Sequence, residues 1–142
     1  MDLSPLAEPA PTEQYRDLIE AARGAAARAY APYSHFRVGA AVLGGSGRVY
    51  TGCNVENSSY SVTLCAERNA VGTAVAAGET TLVAVAVASP GPDPDDLTPC
   101  GMCRQFLAEF GEGIVVVCRQ GGAWRATELR RLLPGAFVLG AG

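Results

Sequence analysis

Between Glu13 and Tyr30 the apolar positions Tyr15, Leu18, Ile19, Ala22, Ala26 and Ala29 recur at helical spacing, with Thr12 where an N-cap belongs, so the pattern predicts an amphipathic helix. The step Ala31-Pro32 ends it, because a residue before proline is driven out of the helical region. Two strand-like runs follow, 36–43 and 48–53, joined by Gly44-Gly45-Ser46-Gly47, which reads as a hairpin. Residues 65–77 are small and helix-tolerant and close at Gly78, and the nearly continuous Val and Ala run 81–89 suits a strand covered on both faces. After a loop with four prolines (90–99), a helix is expected over 101–110, stopped by Gly111 and Gly113. A strand over 114–118, a Gly121-Gly122 turn and a short helix opened by Thr127-Glu128-Leu129 and ended by Pro134 complete the chain. The order α-β-β-α-β-α-β-α predicts an α/β sheet layered between helices. Residues 1–12, rich in Pro and Ala without a period, read as a flexible tail ahead of one domain over 13–142.

Composition narrows the chemistry. A chain of 142 residues that is 49% hydrophobic and 18% charged has enough apolar surface to bury a core. All 11 basic residues are arginine, which excludes a P-loop lysine and a Schiff-base lysine, and the single histidine, His35, excludes any metal site needing two. A net charge of −3 argues against a nucleic-acid partner, which would call for a clustered positive surface. The start Met1-Asp2-Leu3-Ser4-Pro5 lacks the charged and apolar regions of a secretory signal, and no run approaches the roughly 20 apolar residues of a membrane span. The expectation is a cytoplasmic protein with no membrane partner, whose five cysteines are thiols or metal ligands rather than disulfides.

Pro99-Cys100-Gly101-Met102-Cys103 places a C-x-x-C where the proline loop meets a helix. Two sulfurs in a first helical turn point the same way, and the helix N-terminus favours their ionised form. The motif alone serves metal binding, redox chemistry or neither. A third sulfur comes from Cys65-Ala66-Glu67, also at the start of an expected helix and 35 positions before Cys100. Three thiolates from two helix N-termini suit one zinc with an open fourth position, the mark of a catalytic site, and Glu67 would stand beside that position as acid and base. The geometry requires Cys65 at the cap and Glu67 in the first turn, because residues two apart in a helix otherwise diverge.

Cys65-Ala66-Glu67-Arg68 together with Pro99-Cys100-Gly101-Met102-Cys103-Arg104-Gln105 resembles the zinc signature of the cytidine deaminases, an H/C-x-E followed by P-C-x-x-C. The segments 30–36, 52–57 and 132–137 resemble the small homotetrameric branch that acts on free nucleosides, and the likeness runs from about residue 15 to 138. The family commonly has Thr where this chain has Asn69, and Ala where it has Met102. The resemblance implies a three-layer α/β/α fold with a mixed sheet of about five strands. It implies one zinc per chain on Cys65, Cys100 and Cys103, with Arg68 and Arg104 offsetting the charge of three thiolates. Glu67 would take a proton from the attacking water, pass it to N3 of cytosine, and then protonate the departing 4-amino group. The implied substrate contacts are Asn54 and Glu56 on the ribose 3′-hydroxyl, Phe36 on the base and the Ala66 amide on the O2 carbonyl. In a strand, Asn54 and Glu56 would project from one face. Tyr60 and Phe137 are implied to reach a neighbouring subunit's pocket in a homotetramer.

The implied activity is hydrolysis of cytidine and 2′-deoxycytidine to uridine and 2′-deoxyuridine with release of ammonia, as in pyrimidine salvage. A deaminase of a blasticidin-type nucleoside antibiotic is the alternative closest in its motifs. A tRNA adenosine deaminase would carry His in place of Cys65. A closed structural zinc site would recruit Cys53 or Cys118, which otherwise read as buried free thiols, as His35 reads as a structural turn residue.

Overall fold

The computed structural model describes residues 12–140, Thr12 through its backbone alone. The expected tail over 1–12 and the Thr12 cap therefore lie outside the described side chains. A 3-10 turn (Thr12–Tyr15) leads into α1 (Arg16–Ala26), followed by β1 (Gly39–Gly44), β2 (Val49–Cys53), a 3-10 turn (Tyr60–Val62) and α2 (Ala66–Ala76). The remaining elements are β3 (Leu82–Ala88), α3 (Gly101–Ala108), β4 (Val115–Gln120), β5 (Ala123–Glu128) and α4 (Leu129–Leu132). Five strands form one mixed sheet in the order β2-β1-β3-β4-β5. The β3/β4 pair is parallel, joined by the crossover through α3, and the other pairings are antiparallel.

Strand side chains alternate faces, and the two halves of the core divide accordingly. Ala40, Val42, Val85, Val116 and Cys118 pack with Ala66, Ala70, Val71 and Ala74 of α2 and with Leu107, Leu129 and Leu132. Their neighbours Ala41, Ala84, Ala86, Ala88 and Val117 pack on the other face with Leu18, Ile19 and Ala22 of α1. The result is the three-layer α/β/α arrangement expected. The apolar run in β3 is continuous because both of its faces are covered.

The structure corrects the pattern at two places. The expected long first helix stops at Ala26, with Ala27 as its C-cap. The stretch after Gly121-Gly122 is β5, whereas the sequence suggested only a turn and then a helix from Thr127. Strand β5 carries Arg125 in its middle and lies at the sheet edge, so it has no apolar run to announce it. Gly121 and Gly122 both adopt positive φ, 59° and 75°, which suits the tight hairpin turn that pairs β5 with β4. The helix proper is confined to Leu129–Leu132.

Two glycines set the layer spacing. A Cβ on Gly39 would stand 2.0 Å from the Ala22 carbonyl oxygen in α1, and one on Gly52 would stand 2.4 Å from the Ala70 nitrogen in α2. Both helices thus lie against bare backbone, one on each side of the hairpin. Gly39→Ala and Gly52→Ala are each expected to cost about 1–3 kcal/mol or more in denaturant unfolding, since neither helix backbone can yield without shifting its packed face. Only Gly52→Ala should also reduce metal content per chain, because α2 carries Cys65 and Glu67 at its start.

Candidate active site

Cys65 is the N-cap of α2 with extended backbone, so Ala66 and Glu67 occupy the first turn. Cys100 is likewise the N-cap of α3, and Cys103 follows within its first turn. Neither cap makes a side-chain hydrogen bond to its helix. The two helix starts meet at the ends of β1 and β3. Among the described residues, the Cys65, Cys100 and Cys103 sulfurs form a group of three within 4.8 Å of one another, and Cys65 Sγ to Cys100 Sγ is 3.9 Å. A tetrahedral zinc with Zn–S bonds of about 2.3 Å sets its sulfurs about 3.8 Å apart, so this donor set fits that ion in both chemistry and size. Cys53 and Cys118 are not in the group. A closed site drawing on either one is not what the chain builds.

The sulfurs are electrostatically coupled. Cys65 is pulled down to about 5, foremost by a hydrogen bond from the Cys103 thiol, against the opposing effect of burial, and then by Arg68 and Cys100. Cys103 is pushed up by the bond it donates to Cys65 and by burial. Arg68 places its terminal nitrogen 3.4 Å from Cys65 Sγ and 3.1 Å from the Thr63 carbonyl oxygen, which locks the guanidinium beside the thiolate. Arg104 is held differently. Its guanidinium donates to the carbonyls of Pro99 and Leu132, at 2.8 and 2.9 Å, and to Thr98 Oγ1 at 3.4 Å. It braces the loop in front of Cys100 against α4.

Glu67 is 4% exposed. Burial is the main cause that raises its carboxyl above the usual range, its own backbone N–H opposes this, and the charge on Cys65 adds to the rise. Its neutral form is therefore favoured relative to that of an ordinary glutamate. The sulfur cluster opens on an inner cavity of about 170 Å³ lined by Val38, Asn54, Thr63, Ala66, Glu67 and Thr98, among others. An outer cavity of about 360 Å³, lined by Tyr33, Ser34, Glu56, Tyr60 and Thr63, shares the Thr63 wall. The inner one alone falls short of the roughly 300–1,000 Å³ usual for a small-molecule site, and the adjoining pair reaches it.

Strand β2 ends at Cys53, so Asn54 and Glu56 lie beyond it, although an isolated bridge pairs Val55 with Leu64. Their side chains nonetheless reach the same segment. Asn54 accepts from the Val38 N–H at 2.9 Å and donates to the Phe36 carbonyl at 2.9 Å, while Glu56 bonds Tyr33 and Ser34. Asn54 lines the inner cavity and Glu56 the outer. Tyr60 lines the outer cavity of its own chain, with its ring edge-on to Tyr33 at 6.1 Å. Phe36 is half exposed and Phe137 largely exposed, and neither ring lines either cavity. Gln105 Nε2 holds the Phe137 carbonyl at 2.8 Å. His35 takes part in a turn through its backbone.

Several cavity residues carried no sequence signal. Leu97 and Thr98 come from the proline loop, pinned there by a bridge between Leu97 and Arg119, and Val38 precedes β1. Asn69, noted only as a departure, donates to the Cys53 carbonyl at 3.0 Å and so ties α2 to the end of β2, next to Asn54.

Because Arg68 lowers the proton affinity of Cys65, removing it should let protons displace the metal more readily. Arg68→Gln is expected to release zinc at a higher pH than the parent on acid titration, with metal affinity down roughly 10–100-fold, followed with a chromophoric chelator.

The geometry agrees with what the chain is similar to. The family model of the cytidine and deoxycytidylate deaminase zinc-binding region matches residues 12–119. A probable cytidine deaminase of Dictyostelium discoideum is 45% identical over 125 residues, covering 88% of this chain and 84% of the relative. A cytidine deaminase of Sporosarcina psychrophila is 46% identical, covering 84% and 88%. Among solved structures, a cytidine deaminase from Burkholderia pseudomallei superposes with a TM-score of 0.79 at 46% identity, covering 87% of this chain and 98% of that one. One from Mycobacterium tuberculosis does so with a TM-score of 0.77 at 45% identity, covering 88% and 98%. With its fold, its sulfur trio and these relatives in agreement, the chain belongs to the cytidine and deoxycytidylate deaminase family and is an enzyme of the cytidine deaminase class.

Proposed function

We propose that this enzyme hydrolyses the 4-amino group of free cytidine and 2′-deoxycytidine, giving uridine or 2′-deoxyuridine and ammonia, with one zinc per chain on Cys65, Cys100 and Cys103. The observation that carries the reading is a buried carboxyl with a raised proton affinity, Glu67, two positions after one member of a three-sulfur cluster that leaves a tetrahedral corner open. Zinc in such a site supplies a Lewis acid that makes water nucleophilic near neutral pH. Glu67 takes up the proton of the attacking water and hands it to N3 of the cytosine ring, which makes C4 electrophilic. The water oxygen bonds to C4, Glu67 takes the remaining proton from that oxygen and gives it to the 4-amino nitrogen, and the C4–N bond breaks, so that ammonia leaves and C4 keeps a carbonyl oxygen. A carboxyl that both accepts and gives is better served by a proton affinity above the usual carboxylate range, and burial shifts Glu67 in that direction.

The inner cavity takes the base. Its walls are mainly apolar and include Ala66 at the start of α2, whose amide meets the O2 carbonyl in this reading. Asn54 and Glu56 take the sugar in the reading that the family resemblance suggests. The acidic net charge and the absence of a basic wall in either cavity favour a free nucleoside over a polynucleotide. Exposed apolar residues on α3 and after it, Met102, Phe106, Phe137, Val138 and Leu139, suit burial between copies, and we assign the working form as a homotetramer. The place of action is the cytoplasm and the role pyrimidine salvage.

The decisive comparison is Glu67→Gln beside the parent, each assayed for zinc and for the absorbance change of cytidine. Both should carry about one zinc per chain, with turnover in the variant lower by about 10²–10⁴-fold. Cys100→Ala should lose zinc and activity together. Turnover of a blasticidin-type nucleoside in preference to cytidine would move the assignment to the antibiotic.

A further inference from the structure

Glu56 is the one carboxylate lining the outer cavity, and its hydrogen-bond donors come from a single turn. Its Oε1 accepts the Tyr33 N–H at 2.9 Å and the Ser34 N–H at 3.1 Å, and its Oε2 accepts the Ser34 hydroxyl. The turn exists because Pro32 opens it, leaving the next two amides without a carbonyl a turn behind them. His35 closes it, with its N–H on the Ala31 carbonyl at 3.0 Å and a φ of 58°, a left-handed conformation that histidine tolerates better than most residues.

The Ser34 hydroxyl has its direction set by a second bond. Its oxygen accepts the Phe36 N–H at 3.0 Å, so its own proton is left to face Glu56. A carboxylate offers about four acceptor positions, and three of these are filled from the turn. One remains, on Oε2. The same donors favour the ionised form, and Ser34 is the first cause that holds this carboxyl below its usual range.

We propose that Ser34 is a positioning residue that fixes Glu56 as an anion with a single vacant acceptor lobe, so that the outer cavity reads one hydroxyl of a neutral sugar and repels a phosphate at the same place. The inference rests on the reading of Glu56 as the sugar contact and adds what makes that contact selective. A mobile glutamate would satisfy two hydroxyls or fold away from an anionic ligand. A glutamate with three committed positions does neither.

The test is steady-state kinetics on zinc-loaded enzyme with cytidine and with 2′,3′-dideoxycytidine, which lacks the sugar hydroxyl in question. Ser34→Ala should raise the KM for cytidine about five- to tenfold and leave kcat within about twofold, while the KM for the dideoxy compound stays unchanged. Ser34→Thr, which keeps the hydroxyl, should restore the cytidine KM. Equal loss on both substrates, or failure of threonine to rescue, would show a merely structural serine and overturn the proposal. Glu56→Gln separates the two layers. If it raises the cytidine KM and Ser34→Ala does not, the positioning role is wrong and the sugar contact stands. If it leaves the cytidine KM untouched, the sugar contact itself is wrong. Should Ser34→Ala fail to fold, Ser34→Cys, with its weaker donor, carries the same comparison.

Discussion

Three sulfurs within 4.8 Å of one another cannot all be ionised unless a cation stands among them. Two like charges about 4 Å apart repel by about 4 kcal/mol at an effective dielectric of roughly 20, and this site contains three such pairs. Without a metal the cluster relieves the repulsion through protons: Cys65 is held as the thiolate by Arg68 and by its thiol neighbours, while Cys103 keeps its proton. A divalent ion would turn the repulsion into attraction, and the residual negative charge would be met by Arg68 and by the positive ends of two helices. The rest of the fold can be understood as the means of bringing those two starts together.

That convergence depends on the sheet. Helix α2 lies on β2 and β1 through the bare backbone at Gly52, and α3 is the crossover between the parallel pair β3 and β4, and both begin at the end of the strands where Val38, Asn54 and Val87 lie. Three further ties keep them in register. Arg68 bonds the Thr63 carbonyl ahead of α2, Asn69 bonds the end of β2, and Arg104 anchors the loop before α3 to α4. Each tie is a charged or amide side chain on a backbone carbonyl. None is a salt bridge, so the arrangement owes little to ionic strength.

The sulfur trio and Glu67 were legible because metal chemistry fixes residue type and spacing tightly: few arrangements other than two helix caps let C-x-E and C-x-x-C share one centre. The core strands were legible because β3 is apolar throughout. Strand β5 was not, since an edge strand with a central arginine needs only a hairpin turn and one covered face, and its signal lay in the two glycines rather than in its own residues. The cavity walls at Leu97 and Thr98 were hidden for another reason. Their loop is placed by long-range pairing with Arg119, a contact no local pattern announces. The bonds of Arg104 to the Pro99 and Leu132 carbonyls were hidden in the same way, since its place next to Cys103 in sequence says nothing of where its side chain turns.

The two glutamates of the site are chemically the same and are driven in opposite directions by their surroundings. Glu67 is buried beside a thiolate, which favours its neutral form. Glu56 lies partly exposed among three donors, which favours its charged form. A carboxyl of the first kind is suited to carrying a proton back and forth, and one of the second kind is suited to accepting a hydrogen bond without ever taking the proton. Were the environments exchanged, a carboxyl held in its charged form would be a weaker base at the ring, and one held neutral would donate to a sugar hydroxyl instead of accepting from it. The proposed division of labour therefore rests on the placement of the two residues: one in the first turn of α2, the other beyond β2 facing the turn that Pro32 opens and His35 closes.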